Sequence, residues 1–210
     1  MLDSALHRLL HPTTTRLAQT LHHRGVRANH LTWMGGALGL VASFSIANEA
    51  YYTGAAIGIV SRICDALDGA VARQTEATDQ GGFLDICLDF LFYASVPLAF
   101  AYADPAHNAL AAATLLAAFV GTASSFLAFA VIAAKRQWHS LAWPEKSFYF
   151  LGGLTEATET LLFFAAMCLW PKKFSTLAYG FAAMCAVTIT TRIWWGWRAF
   201  AKPQQKGTPE

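Results

Sequence analysis

The chain has 210 residues, 55% of them hydrophobic and 13% charged, with a formal net charge of +2. An ordinary soluble domain carries about twice that share of charged residues, so the composition excludes one and points to a membrane protein. The small net charge says nothing by itself; its placement along the chain does.

Residues 1–28 read as a basic, mildly amphipathic arm, with Leu2, Leu6, Leu9, Leu10, Leu17 and Leu21 set among Arg8, Arg16, Arg24 and Arg27. Such a segment suits one or two short helices on a membrane surface, broken near Pro12. It lacks a compact apolar core followed by a small-residue cleavage site, so no cleavable signal peptide is expected. Asn29 and Thr32 read as start signals for a first span over residues 31–47, with Asn29 its N-cap, and the Gly35, Gly36 and Gly39 of that span allow close packing. After a tight turn at Asn48, Glu49 and Ala50, further spans are expected over 51–73, 81–102, 108–134, 147–170 and 174–197. A polar connection fills 74–80, Asp104-Pro105 breaks the chain before the fourth span, and an interfacial segment with Trp138, Trp143 and Pro144 precedes the fifth. The expected fold is an all-α membrane protein: the interfacial arm 1–28, a domain of six transmembrane helices over 29–200, and a disordered tail over 201–210.

Four aspartates stand inside this greasy sequence. Asp65 and Asp68 lie in the second span, and Asp85 and Asp89 in the third. A charged side chain at membrane depth is costly and marks function by default. Four of one sign cannot all stay ionised together unless a cation joins them. On a helix Asp65 and Asp68 share a face, as do Asp85 and Asp89. Gly69, Ala72 and Gly81 lie beside them and leave room for a ligand against the backbone. Asp65 lies roughly 12 Å along its helix from Arg73, and Asp89 roughly 12 Å from Gly81. Two adjacent antiparallel helices therefore bring the carboxylates to one level, opening towards the polar connection. Carboxylate oxygens without Cys or His favour Mg²⁺, Mn²⁺ or Ca²⁺ over Zn²⁺.

These residues form the pattern D-x-x-D-G-x-x-A-R, a spacer, then G-x-x-x-D-x-x-x-D, and the chain thereby resembles the CDP-alcohol phosphatidyltransferases. Every fixed position is filled; the spacer is one residue shorter than the family's usual form, a trim that a loop tolerates. The resemblance implies transfer of a phosphatidyl group from a CDP-linked lipid, CDP-diacylglycerol above all, to an alcohol, with release of CMP, in phospholipid biosynthesis. It implies two Mg²⁺ or Mn²⁺ ions held by Asp65, Asp68, Asp85 and Asp89, with Asp89 also the general base. Asp65, Asp68, Gly69, Ala72, Arg73 and Gly81 would line the nucleotide pocket. A homodimer is expected on the same ground, and no nucleic-acid partner.

With six spans both termini share one side. Arg8, Arg16, Arg24, Arg27, Arg73, Lys135, Arg136, Lys146, Arg198, Lys202 and Lys206 fall on that side, against Lys172 and Lys173 on the other. The positive-inside rule then places the termini and the mouth of the acidic site in the cytoplasm, and the resemblance, nearest to small bacterial members, implies a bacterial inner membrane. Lys135, Arg136 and Lys146 at that mouth suit a phosphorylated acceptor, of which glycerol 3-phosphate is the first choice, or ordinary topology-setting charge. Glu156 and Glu159 in the fifth span suit contact with acceptor hydroxyls, or pairing with Arg62 or Arg192 in neighbouring spans. Arg62, one turn before Asp65, is placed to orient it. Arg192, near Trp194, Trp195 and Trp197, reads as a snorkelling interface residue. Thr122, Ser124 and Ser125 read as helix-packing polar groups, and Cys64, Cys87, Cys168 and Cys185 as small buried hydrophobes. His22 and His23 are adjacent, point apart on a helix and are not expected to ligate metal. Two other classes of protein compete: a divalent-cation transporter, against which stands the clustering of the acids near one face, and a noncatalytic lipid-binding member, against which stands the full set of four aspartates.

Overall fold

A computed structural model of the protein describes residues 14–74, 78–136 and 155–201, and every regular element among them is helical. In chain order these are α1 (residues 14–23), α2 (Ala28–Ala47), α3 (Tyr51–Ala72), α4 (Asp79–Ala103), α5 (Pro105–Lys135), α6 (Ala157–Leu169) and α7 (Phe174–Ala201), the last entered through a 3₁₀ turn at Pro171–Lys173. Among the described residues, four stretches are long and apolar enough to cross a membrane: α2, α4, α5 and Pro171–Ala201. α3 has 22 residues, roughly 33 Å of helix, but Arg62, Asp65 and Asp68 interrupt its apolar run. α6 has 13 residues, roughly 20 Å, and residues 147–154, expected to begin the fifth span, lie outside the described residues. The six expected spans thus divide into four that qualify by length and composition, one that qualifies by length, and one short apolar helix.

The helix boundaries follow local chemistry. α2 starts at Ala28, three residues earlier than its sequence suggests, and its N-cap is Arg27 rather than Asn29. The Arg27 amide donates to His30 Nδ1 at 3.5 Å, so Asn29 is already helical and its side chain is free of the capping role. α4 starts at Asp79, with Thr78 Oγ1 accepting from the Gly81 amide at 3.1 Å. α5 begins on Pro105, which has no amide to satisfy and suits the first helical position, while Asp104 accepts from the His107 amide at 3.3 Å. Between α2 and α3 the chain reverses at Glu49, whose φ of 63° is left-handed.

α2 packs along both α3 and α4, and α5 packs along α4 and α7. A Cβ on Gly54 would stand 2.9 Å from the Ala42 carbonyl oxygen, so α2 and α3 meet almost backbone to backbone. The other half of the bundle is filled with rings. Phe100 stacks on Phe174 at 4.4 Å and Phe163 on Phe181 at 4.5 Å, while Phe164 meets Phe92 edge-on at 6.1 Å. The described part of the arm does more than lie on a surface. Ala18 of α1 is fully buried against Leu31, Ala70 and Val71, and Gln74 Nε2 donates to the Thr15 carbonyl at 3.2 Å. α1 is therefore docked on the ends of α2 and α3, a contact that an amphipathic pattern does not reveal.

Candidate active site

The acidic residues meet because α2 holds α3 and α4 side by side. A Cβ on Gly35 would lie 3.2 Å from the Ser61 carbonyl oxygen of α3, and one on Gly36 would lie 2.8 Å from Leu88 of α4. Glycine at those positions sets both approaches at the level of the aspartates. One carboxylate oxygen from each of Asp65, Asp68 and Asp85 then lies within 4.8 Å of the others. Asp68 is 6% exposed, and its Oδ2 has no hydrogen-bond partner. An ionised oxygen buried in that way is costly unless a cation meets it. Three oxygens so placed are within reach of one hard cation bound at roughly 2.1–2.4 Å. The donor set is all carboxylate, so the residues fit a divalent cation such as Mg²⁺ or Mn²⁺ better than a thiophilic metal.

The fourth aspartate takes a different partner. Arg62 Nη1 lies 2.5 Å from Asp89 Oδ1 and 3.5 Å from Asp65 Oδ1. Arg62 thus reaches Asp65, as its sequence position suggests, and crosses to α4 as well.

Asp68 and Asp85 open into a cavity of about 710 Å³. Gly69, Ala72, Thr78, Gln80, Gly81 and Gly82 form the wall on the α3 and α4 side. His22, Arg27, Asn29 and Thr32 also line the cavity, from the end of α1, the α1–α2 turn and the start of α2. A Cβ on Gly81 would stand 3.1 Å from Asn29 Oδ1, and one on Gly69 would stand 3.4 Å from Arg73 Nη1. The Arg73 guanidinium therefore folds back one turn over Gly69, at the cavity's edge. Of the residues expected to line a nucleotide pocket, Asp68, Gly69, Ala72 and Gly81 line this cavity. Asn29 and Thr32 are the residues that sequence reasoning missed, having been read as helix-start signals. Their i, i+3 spacing on one face of α2 was the available clue.

The expected acceptor contacts fall elsewhere. Lys135 is exposed at the end of α5. Arg136 Nη2 donates to the Phe200 carbonyl at 2.7 Å, and its guanidinium lies 5.2 Å from the Phe200 ring, so it braces the end of α7. Lys146 lies outside the described residues. Glu156 is the N-cap of α6, and its amide donates to Glu159 Oε2 at 3.2 Å in a capping box. Lys135, Arg136 and Glu156 are not among the residues that line the cavity. Arg192 does not simply snorkel to an interface: its Nη1 donates to the Thr122 carbonyl at 3.2 Å and ties α7 to α5. The hydroxyls of Thr122, Ser124 and Ser125 return to carbonyls of their own helix, and the four cysteines are free, Cys87 half-buried and the others buried.

The described residues thus form a helical bundle with membrane-length apolar helices and an all-carboxylate cluster that opens into a cavity. The family model for CDP-alcohol phosphatidyltransferase matches residues 26–195. Over 206 residues, 98% of this chain and all of the relative, the chain is 46% identical to the inner membrane protein YnjF of Escherichia coli strain K12. Over 82 residues, 39% of this chain and 44% of the relative, it is 38% identical to an archaetidylinositol phosphate synthase of Pyrococcus horikoshii. The crystal structure of Mycobacterium tuberculosis phosphatidylinositol phosphate synthase, solved with CDP-DAG bound, superposes with a TM-score of 0.63 at 20% identity, over 88% of this chain and 93% of that one; that likeness is one of fold. The chain belongs to the CDP-alcohol phosphatidyltransferase family and is a membrane enzyme of phospholipid biosynthesis.

Proposed function

We propose that the protein transfers a phosphatidyl group from CDP-diacylglycerol to an alcohol, with glycerol 3-phosphate the first acceptor to test. The observation that carries this reading is the convergence of Asp65, Asp68 and Asp85 at the foot of the cavity, with a buried Asp68 oxygen left without a partner. In the reaction the acceptor oxygen forms a new bond to the lipid-bearing phosphorus. The anhydride bond to the nucleotide breaks, CMP leaves with the bond's electron pair, and the hydroxyl proton passes to a base.

Asp65, Asp68 and Asp85 are the residues that would hold Mg²⁺ or Mn²⁺. When bound, such a cation offsets the charge of a diphosphate and stabilises the leaving phosphate. Asp89, held by Arg62 and half-buried, is assigned to accept the hydroxyl proton. Gly69, Ala72 and Gly81 keep the cavity wall free of side chains, so a nucleotide can approach the backbone. Arg73 at the edge offsets phosphate charge. Asn29 and Thr32 supply polar contacts from the start of α2. The cation distribution along the chain supports a cytoplasmic mouth, where soluble CMP departs, and a homodimer is proposed on the family resemblance alone.

The test is CMP release by the purified protein in liposomes containing CDP-diacylglycerol. Mg²⁺ or Mn²⁺ is added with glycerol 3-phosphate, an inositol phosphate, serine or a polyol. Metal-dependent release with one acceptor, abolished in Asp89→Asn, is expected. Release that persists unchanged in Asp89→Asn refutes the base assignment, and an absence of both release and donor binding refutes the transferase reading.

A further inference from the structure

The last turn of α3 serves two neighbours at once. Leu67, Ala70 and Val71 hold α1, packed with Leu21, Val26 and Leu31 around the buried Ala18. Asp68, Gly69 and Ala72, interleaved with them in the chain, line the cavity. Residues 67, 70 and 71 share one side of the helix, and 68, 69 and 72 the adjoining side. The arm is thus seated beside the cavity, on the same turn of helix that carries Asp68.

α1 also reaches the cavity itself. His22 lies one turn on from Ala18, on the same side of α1, and lines the cavity together with Gly25, Val26 and Arg27. Val26 belongs both to the packing around Ala18 and to the cavity lining. Seating Ala18 therefore sets His22 and the turn after it against the space into which Asp68 and Asp85 open.

The seat is small. Ala18 is the one fully buried residue of α1, whereas Arg16, Leu17, Gln19 and Arg24 around it are exposed. Gln74 Nε2 adds its hydrogen bond to the Thr15 carbonyl. A segment held by so few buried contacts opens locally, far below the cost of global unfolding. The connection to α2 suits such an opening. The Gly25 amide donates to the His22 carbonyl at 2.9 Å and the Val26 amide to the Leu21 carbonyl at 3.0 Å, which ends α1. Gly25 has a φ of 79°, and a Cβ there would meet nothing within 4 Å. The chain can turn at that glycine without striking a neighbour.

We propose that α1 is a hinged cover of the nucleotide cavity: bound nucleotide seats the arm through His22 and Arg27, and release of CMP requires the arm to lift. The proposal rests on the transferase reading above, which puts the nucleotide in this cavity. Arg27 offers a cation and His22 a ring nitrogen to the phosphate. Seating and binding are linked, so the factor by which nucleotide steadies the arm equals the factor by which a lifted arm weakens the nucleotide.

The test joins amide hydrogen exchange, read by mass spectrometry on the full chain in detergent, to equilibrium binding of labelled CMP with Mg²⁺. Saturating CMP is expected to slow exchange of residues 14–26 by about tenfold and to leave the ring core of α5 and α7 unchanged. Ala18→Asp puts a carboxylate into the apolar seat. It is expected to speed exchange of the arm and to weaken CMP binding by the same factor of about tenfold. Should Ala18→Asp fail to fold, Gln74→Ala, which removes only the hydrogen bond to Thr15, is expected to move both readouts together in the same direction by about threefold. CMP that binds without slowing the arm overturns the proposal. So does a variant whose arm exchanges freely while CMP binds as tightly as before. If CMP does not bind the unmutated protein at all, the transferase reading itself fails and the cover falls with it, whereas binding without coupling removes the cover alone.

Discussion

The two halves of α4 are built from opposite materials. Its first half carries Gly81, Asp85 and Asp89 and faces the glycine side of α2 and the charged side of α3. Its second half carries Phe92, Val96 and Phe100, which are buried in a cluster of rings contributed by α5, α6 and α7. The first half tolerates charge because its carboxylates are grouped with those of α3 or paired with Arg62. The second half carries no acidic or basic side chain; Ser95 there is satisfied by Ser43 and the Phe92 carbonyl, and ring contacts hold it, the kind of packing that counts most where lipid removes the hydrophobic drive between helices. One helix therefore joins a site that is costly to fold to a core that is cheap to fold. Changes on one side should strike chemistry and changes on the other should strike stability.

The largest expected effect falls on the site. Asp68→Ala removes the buried oxygen without a partner and one third of the carboxylate group. Turnover should fall by about 10⁴-fold, the equivalent of roughly 5.5 kcal/mol of charge stabilisation, and Mn²⁺ affinity should fall with it. The melting temperature in detergent should hold or rise, since an uncompensated buried charge is gone. A protein that melts much earlier but keeps its metal response would break the comparison.

Next comes the ring core. Phe181 is fully buried and touches Phe119 and Phe163. Phe181→Ala should cost about 3 kcal/mol of stability, read as a lower melting temperature, while kcat of the folded fraction stays near that of the unmutated enzyme. A comparable loss of kcat at a temperature where the variant is fully folded would show that the ring core and the site are coupled.

Gly39→Ala sits on the seam. Its new methyl group must displace Phe92 or Ser61, an overpacking worth about 1–2 kcal/mol. Both stability and turnover should fall modestly, and a larger methionine should deepen both together. An unchanged kcat in Gly39→Ala would show that Phe92 yields without moving Arg62.

The smallest effect lies at the far end of α4, in the exposed turn before α5. The His107 ring nitrogen, 2.9 Å from an Asp104 oxygen, and the His107 amide hold the Asp104 carboxyl below its ordinary value of 3.8. A carboxyl depressed on folding contributes stability that is present above its unfolded value and is lost as pH falls through its folded one. Melting temperatures of the unmutated protein and Asp104→Asn should therefore differ slightly near neutral pH and converge as pH falls through the depressed folded value. Curves that stay parallel to that pH would remove the carboxylate from the account.

Much of this was legible in the chain. Composition declared a membrane protein, and the turns at Asn48 and Asp104 and the ends of α3 and α7 fall within a few residues of where polar and proline signals put them. The spacing of Asp65, Asp68 and Asp85 with Gly69, Ala72 and Gly81 marked the site, because helical periodicity alone puts those residues on shared faces. What no spacing states is how one helix meets another. The tertiary structure alone pairs Asp89 with Arg62, which reaches across from α3 to α4. It alone turns Asn29 and Thr32 from helix-start signals into a cavity wall, docks α1 on the ends of α2 and α3, and spends Arg136 on the end of α7. Each of these depends on distances between residues remote in the chain, and those distances are set by where glycine lets backbones touch and where rings hold them apart.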